Sequence, residues 1–198
     1  GAMLSEIVNR RSIRAYLPRP VSRADIETVL RAGALAPSSK NRQPWRFTVA
    51  AGEGKAAALA AMAQGLEEEA RRPLLPESAQ FLNGAVQTLA IMERAPVVIF
   101  VTNLLGRDPR EALTTDERVF ELCNAQSLGA CLENMALQAT ALGLGSLWIC
   151  DTYFAYDALN AWLGGQRVLA AAMALGYAAG NPPPRPRKPL EELAEWRG

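Results

Sequence analysis

Residues 132–151, LENMALQATALGLGSLWICD, carry the decision between the two usual ways of mixing helices with strands. Their first half continues a pattern that runs from Glu117 to Leu142 and is apolar on much of its circumference, which predicts a long, central helix. Gly143-Leu144-Gly145 ends that helix, and Ser146–Cys150 reads as a short strand. Upstream lies Pro96-Val97-Val98-Ile99-Phe100-Val101, an unbroken apolar run that predicts a buried strand. Between the two, residues 103–115 read as a mobile surface loop. Downstream, Tyr153–Leu163 reads as a helix and Val168–Tyr177 as an apolar strand. Strands separated by one or two helices, without regular βαβ alternation, predict an α+β fold rather than a doubly wound α/β sheet.

Further out, a helix is predicted over Leu4–Arg10, with Leu4, Ile7 and Val8 on one face. Ser22 followed by Asp25 is a capping-box pattern, and it opens a helix whose apolar stripe is Ile26, Val29, Leu30 and Gly33. Residues 36–44 form a polar loop, and Trp45–Ala51 a strand broken by Gly52 and Gly54. An alanine-rich helix follows over Lys55–Gly65, extensible to Arg72, then a proline loop at 73–77 and a helix over Ser78–Glu93. The tail from Asn181 is proline-rich and basic, with one or two helical turns between Leu190 and Trp196. It adds little core of its own, so it dangles or lies on another surface such as a partner subunit. Gly1-Ala2 before Met3 reads as a tag-cleavage scar, which leaves residues 3–198 as a single domain without internal repeats.

Composition narrows the function. A net charge of +1 gives no electrostatic reason to expect nucleic acid or an anionic membrane as a partner. No apolar run approaches the roughly 20 residues of a membrane span, and no secretory leader opens the chain. Histidine is absent, which excludes Ser-His-Asp and Cys-His machinery and any imidazole metal site. Three cysteines, Cys123, Cys131 and Cys150, have neither even number nor C-x-x-C spacing. They predict free thiols, no metal and a reducing cytoplasm.

Three polar clusters lie at element ends, where sites usually sit. Arg10, Arg11, Ser12 and Arg14 suit a phosphate, because guanidinium forks match its oxygens; they also read as a solvated basic turn. Pro37-Ser38-Ser39-Lys40-Asn41-Arg42-Gln43-Pro44-Trp45 can present donors to a planar polar ligand, or simply connect a helix to a strand. Pro182-Pro183-Pro184-Arg185-Pro186-Arg187-Lys188-Pro189 reads as an extended basic arm, a polyproline ligand or a disordered tail. Gly143-Leu144-Gly145 lacks the third glycine of a dinucleotide fingerprint and follows a helix, which argues against a Rossmann site. Asp116, Glu117, Glu121 and Glu133 read as a solvated helix face, and Trp148 and Tyr177 as core.

Taken in order, these segments resemble the FMN-dependent nitroreductase family. RRSIRAYLPRPVSRADIETVLRAGALAPSSKNRQPWRF is similar to that family's opening, LENMALQATALGLGSLWICD to its central helix and following strand, and LGYAAGNPPPRPRKPLEEL to its close. The resemblance covers roughly residues 4–50, 96–102 and 117–195. It implies a helix-wrapped, mostly antiparallel central sheet in an intertwined homodimer with two FMN sites at the interface, the tail 181–198 crossing to the partner. Carried over by position, Arg10, Arg11, Ser12 and Arg14 would hold the FMN phosphate, ribityl chain and pyrimidine edge, and Arg185 and Arg187 would complete the phosphate clamp. Pro37, Ser38, Ser39 and Asn41 would line the flavin from the other subunit, and the backbone at Ile149, Cys150 and Asp151 would approach flavin N5. Gln126 and Ser127 are not carried over.

The chain departs from the family in two places. Gln87 and Ala90 stand where many relatives place an Asn and a Lys against the flavin, and Cys150 and Asp151 stand where many have Gly or Glu. The activity implied is hydride transfer from NAD(P)H through FMN to a small-molecule acceptor, a nitroaromatic or quinone, by a ping-pong mechanism. No side chain is required as a catalytic residue beyond the groups that position the flavin. Other chemistry on the same cofactor is a second reading, with residues 65–78 or 103–116 as places for a lid. A flavin-binding protein without turnover is a third. An adaptor using its PPPRPRKP segment is a fourth.

Overall fold

The computed structural model describes residues 1–165 and 168–198. Among these, β1 (Trp45–Ala51), β2 (Val97–Asn103), β3 (Gly145–Ile149) and β4 (Val168–Gly176) form one sheet in the order β1-β2-β4-β3. Every pair is antiparallel, with Thr48 opposite Phe100, Ile99 opposite Met173 and Leu147 opposite Ala174. The fold is thus α+β. β2 is buried at all seven residues, because helices cover both faces of the sheet. Its alternation sorts the core: Val98 and Phe100 point to one face, and Val97, Ile99 and Val101 to the other. A bulge between Val101 and Thr102 shifts the register against β4.

The first face carries α3 (Gly52–Arg71), α4 (Leu82–Arg94) and α6 (Tyr156–Trp162). The second carries α2 (Arg23–Ala34) and the 27-residue α5 (Thr115–Ala141). Ser22 caps α2 as its spacing predicts, its hydroxyl accepting from the Asp25 N–H (3.1 Å). Gly33 lets α2 close on α5, for a Cβ there would stand 2.7 Å from Met135 Cγ. α1 (Ser5–Asn9) and the single turn α7 (Leu190–Leu193) lie at the two ends of the chain. No helix among the described residues is long and apolar enough to cross a membrane.

Several boundaries differ from the predicted ones for local reasons. Gly52 turns the corner from β1 directly into α3 at φ 54°, so the helix begins three residues before Lys55. Pro76 opens a 3-10 stretch, Pro76–Phe81, which delays α4 to Leu82. A second such stretch, Asp151–Ala155, precedes α6. The loop after β2 is cross-braced: Arg110 bonds Asp108 and Asp157, both at 2.7 Å, and Arg107 bonds Glu111 at 2.6 Å.

Candidate functional site

The outer edge of β3 is where the first polar cluster lies. Ser12 forms a parallel bridge with Ser146, and the Ile13 N–H donates to the Ser146 carbonyl (2.9 Å). Gly145 makes the approach possible, since a Cβ there would stand 2.8 Å from Ile13 Cγ1. Past Ile13 the segment leads to Tyr16, which bridges Ala178 just beyond the end of β4, so Arg14 lies between the β3 edge and that second bridge. The four residue steps from Ser146 to Cys150 span roughly 13 Å. At the far end, Thr88 of α4 donates to Asp151 Oδ2 (2.5 Å), which brings the neighbouring Gln87 into the same region. Gln87 and Ala90 are exposed on α4, Ile149 is buried, Cys150 is exposed and Asp151 half-buried.

The four residues of that cluster are not equivalent. Arg11 donates to the carbonyls of Val8 (2.9 Å) and Arg10 (2.8 Å), closing the C-terminal end of α1, and its Nε is buried without a partner. Arg10 pairs with Glu133 of α5 at 3.4 Å. Ser12 and Arg14 are exposed, and among the described residues neither side chain is held by a hydrogen bond or ion pair. The uncommitted donors at this edge are therefore a hydroxyl, a guanidinium and the Gln87 amide. Such a set suits the oxygens of a phosphate or the polar edge of a heterocycle.

The second cluster is a strained turn. Lys40, Asn41 and Gln43 all have positive φ, 55°, 51° and 49°, a conformation that non-glycine residues adopt at a cost. Two hydroxyls hold it. Ser38 Oγ accepts from the Gln43 N–H (3.0 Å), and Ser127 Oγ accepts from the Ser39 N–H (3.2 Å) while donating to the Cys123 carbonyl (3.0 Å). Pro37 and Asn41 are exposed, Ser38 and Ser39 half-buried. On α5, at about 100° per residue, Ser127 is roughly 120° around from Glu133 and roughly 160° from Gly129. Glu133 meets Arg10, and Gly129 lies under Trp148. The turn and the β3 edge thus stand on different sides of the central helix of one chain. Arg185 and Arg187 lie on the exposed tail, and among the described residues no hydrogen bond or ion pair brings them to either cluster.

A cavity of about 260 Å³ opens beside Cys150, between α5 and the ends of β3 and β4. Burial, and then the charge of Asp151, push the Cys150 thiol up, so it is a neutral group at this edge. Burial also raises Tyr153 and takes Tyr156 up to about 12. Two residues read as bland in the sequence are not so. Trp148 is 41% exposed rather than core, because β3 is an edge strand of the sheet; its ring lies over Gly129 of α5. Glu121 is half-buried rather than solvated, with Oε1 shielded and unpartnered. A second cavity, about 770 Å³, lies between α3 and α6, and its charged walls are paired among themselves: Arg71 with Glu68, Arg110 with Asp157. None of the clusters named in the sequence lines it.

An α+β sheet covered by helices on both faces, with polar segments along one edge strand, is matched by known proteins. The profile of the nitroreductase family matches residues 7–177, and the chain belongs to that family. A flavoprotein from Clostridium difficile 630 described as BluB-like superposes with a TM-score of 0.79, at 27% identity over 98% of this chain and 97% of that one. A Desulfovibrio desulfuricans protein solved in complex with FMN is 30% identical over 98% of this chain and 95% of its own, with a TM-score of 0.69. An Archaeoglobus fulgidus protein, provisionally named NADH dehydrogenase/NAD(P)H nitroreductase, is 32% identical over 146 residues. That match takes in 74% of this chain and 66% of the relative.

Proposed function

We propose that this chain is an FMN-dependent oxidoreductase with its flavin laid along the outer edge of β3. The observation that carries the reading is the set of unengaged donors: Ser12 on the segment bridged to β3, Arg14 two residues on, and Gln87 of α4 beside Thr88, which bonds Asp151 at the end of β3. FMN supplies hydride acceptance from NAD(P)H and donation to a nitroaromatic, quinone or similar acceptor, in ping-pong order. Arg14 places positive charge against the pyrimidine edge, where negative charge develops on reduction. Cys150–Asp151 opens a 3-10 turn whose first N–H groups have no partner within the turn, so the backbone offers a donor to the central ring. Arg10, with Arg11 shaping the segment, borders the phosphate and ribityl end, completed by Arg185 and Arg187. The absence of histidine is no obstacle, because proton and hydride chemistry need no side-chain nucleophile.

The reading includes a homodimer. Pro37, Ser38, Ser39 and Asn41 stand on the other side of α5 from Ser12 and Arg14, so one chain cannot fold both sets around one ligand. Two chains sharing two sites can. Residues 3–198 then act as one domain, with 181–198 crossing to the partner. The three free thiols favour a cytoplasmic location.

An absorption spectrum of the purified protein, before and after anaerobic NADH or NADPH, tests the proposal. Flavin bands that bleach support it and identify the donor. Colourless protein that FMN does not reconstitute overturns it. The likeness to a BluB-like flavoprotein favours, as second reading, other chemistry on the same cofactor. Bands that persist with both nucleotides, yet bleach with dithionite, would bring that forward.

A further inference from the structure

The cavity beside Cys150 has a chemistry that the flavin reading does not use. We propose that it is a binding site for a small aromatic cation, a single ring bearing an ammonium or pyridinium group. Its floor is apolar, Leu128 and Leu132 of α5. Its lining includes three aromatic rings, Trp148, Tyr153 and Tyr156, the two tyrosines stacked 6.2 Å apart at 15° and Arg110 lying 6.0 Å from the Tyr156 ring. A cavity of about 150 Å³ already accepts benzene, and drug-sized ligands take pockets of roughly 300 Å³ or more. A volume of about 260 Å³ therefore fits one ring with a short substituent.

Charge decides what that substituent is. Glu121 Oε1 is shielded from solvent on the cavity wall and has no hydrogen-bond partner. Among the described residues the cation at the wall is Arg107, which pairs with Glu111 at 2.6 Å and Glu117 at 3.7 Å and feels Glu121 only electrostatically. Asn103 Oδ1 accepts from the Leu105 N–H (3.1 Å), and Cys150, Tyr153 and Tyr156 are neutral. Among the described residues, the acidic atom on this wall with neither hydrogen bond nor ion pair is thus a carboxylate oxygen of Glu121 among aromatic rings, a combination that attracts organic cations. An anion would meet like charge and leave Glu121 unsatisfied. Cys150 lines this cavity and also borders the proposed flavin edge, but binding of the cation does not depend on the flavin.

The test is calorimetric titration of the full-length protein, as purified and after flavin loading, with benzyltrimethylammonium, benzyl alcohol and benzoate, together with the Trp148 indole resonance. The cation is expected to bind at least tenfold more tightly than the alcohol, and benzoate not measurably, with the Trp148 resonance shifting. Glu121→Gln should remove most of that preference. Trp148→Leu, at a half-exposed position, should weaken cation binding severalfold while the protein stays folded. Benzoate or the alcohol binding as well as the cation, an unmoved Trp148 resonance, or a preference that survives Glu121→Gln would overturn the proposal. Protein that holds FMN but ignores the cation sinks this inference alone. Cation binding by protein that never takes FMN sinks only the flavin reading.

Discussion

Arg11 and Arg14 are three residues apart and do different work. The Arg11 fork closes the end of α1 on the carbonyls of Val8 and Arg10, whereas nothing among the described residues holds Arg14. Arg14→Ala is expected to weaken FMN binding roughly tenfold to a hundredfold, the range of a charge-assisted hydrogen bond. Titration followed by flavin fluorescence reads it, and an unchanged affinity removes Arg14 from the site. Cys150 gives a second prediction. The thiolate is the reactive form; burial first and Asp151 second push its proton affinity up, so alkylation at pH 8 should be slower than for an ordinary exposed cysteine. Asp151→Asn removes the nearby negative charge and should speed alkylation severalfold, read by mass spectrometry of the Cys150 peptide. No acceleration would mean that burial alone sets the thiol. At this scale the sequence was legible as residue types and no further. Composition marked four donors at 10–14, but which of them already hold α1 or Glu133 depends on directions in space that spacing does not encode.

At the scale of elements, the glycines carry the packing. Gly65 sits in α3 where a Cβ would stand 2.7 Å from Ala155 Cβ and 3.0 Å from both Ala155 Cα and Ala158 Cβ. Ordinarily Gly→Ala inside a helix stabilises by about 1 kcal/mol. Here the neighbours are short side chains and backbone that cannot swing aside, and overpacking costs about 1–3 kcal/mol. Gly65→Ala is therefore expected to lower stability in urea unfolding, by up to about 2 kcal/mol. A gain would mean that α3 and the 151–158 segment are free to part. Strands were read well because each is an unbroken or strongly apolar run; β1 has the predicted bounds, Trp45–Ala51. Helix starts were read less well. Gly52 as a corner and Pro76 as the start of a 3-10 stretch both obey local rules, but those rules also allow a loop. The exposure of Trp148 follows from the place of β3 at the edge of the sheet, a strand order that no local pattern announces.

For the whole molecule, a single chain leaves apolar surface exposed and its two polar clusters apart. The two polar clusters occupy different sides of α5, and the sequence alone had no means of saying so, because linear order does not tell which chain a segment serves. Only the ordered resemblance of three separated segments suggested a shared site. The apolar surface points the same way. Leu190, Leu193 and Trp196 are 65%, 64% and 86% exposed on a tail that makes no core of its own, and Leu4, Ile7 and Val8 are exposed on α1 at the other terminus. Each such side chain contributes about 1.5–3 kcal/mol when buried, more than an isolated tail gains by lying in solvent. If the proposed dimer and phosphate clamp hold, deleting residues 181–198 should do two things at once: shift the protein from dimer to monomer, and remove the phosphate contacts proposed for Arg185 and Arg187. Light scattering after size exclusion reads the first, and the flavin-to-protein absorbance ratio the second. Loss of flavin from an intact dimer would keep the arginines in the site but return the tail to its own subunit. A stable dimer with full flavin would refute the crossing tail altogether.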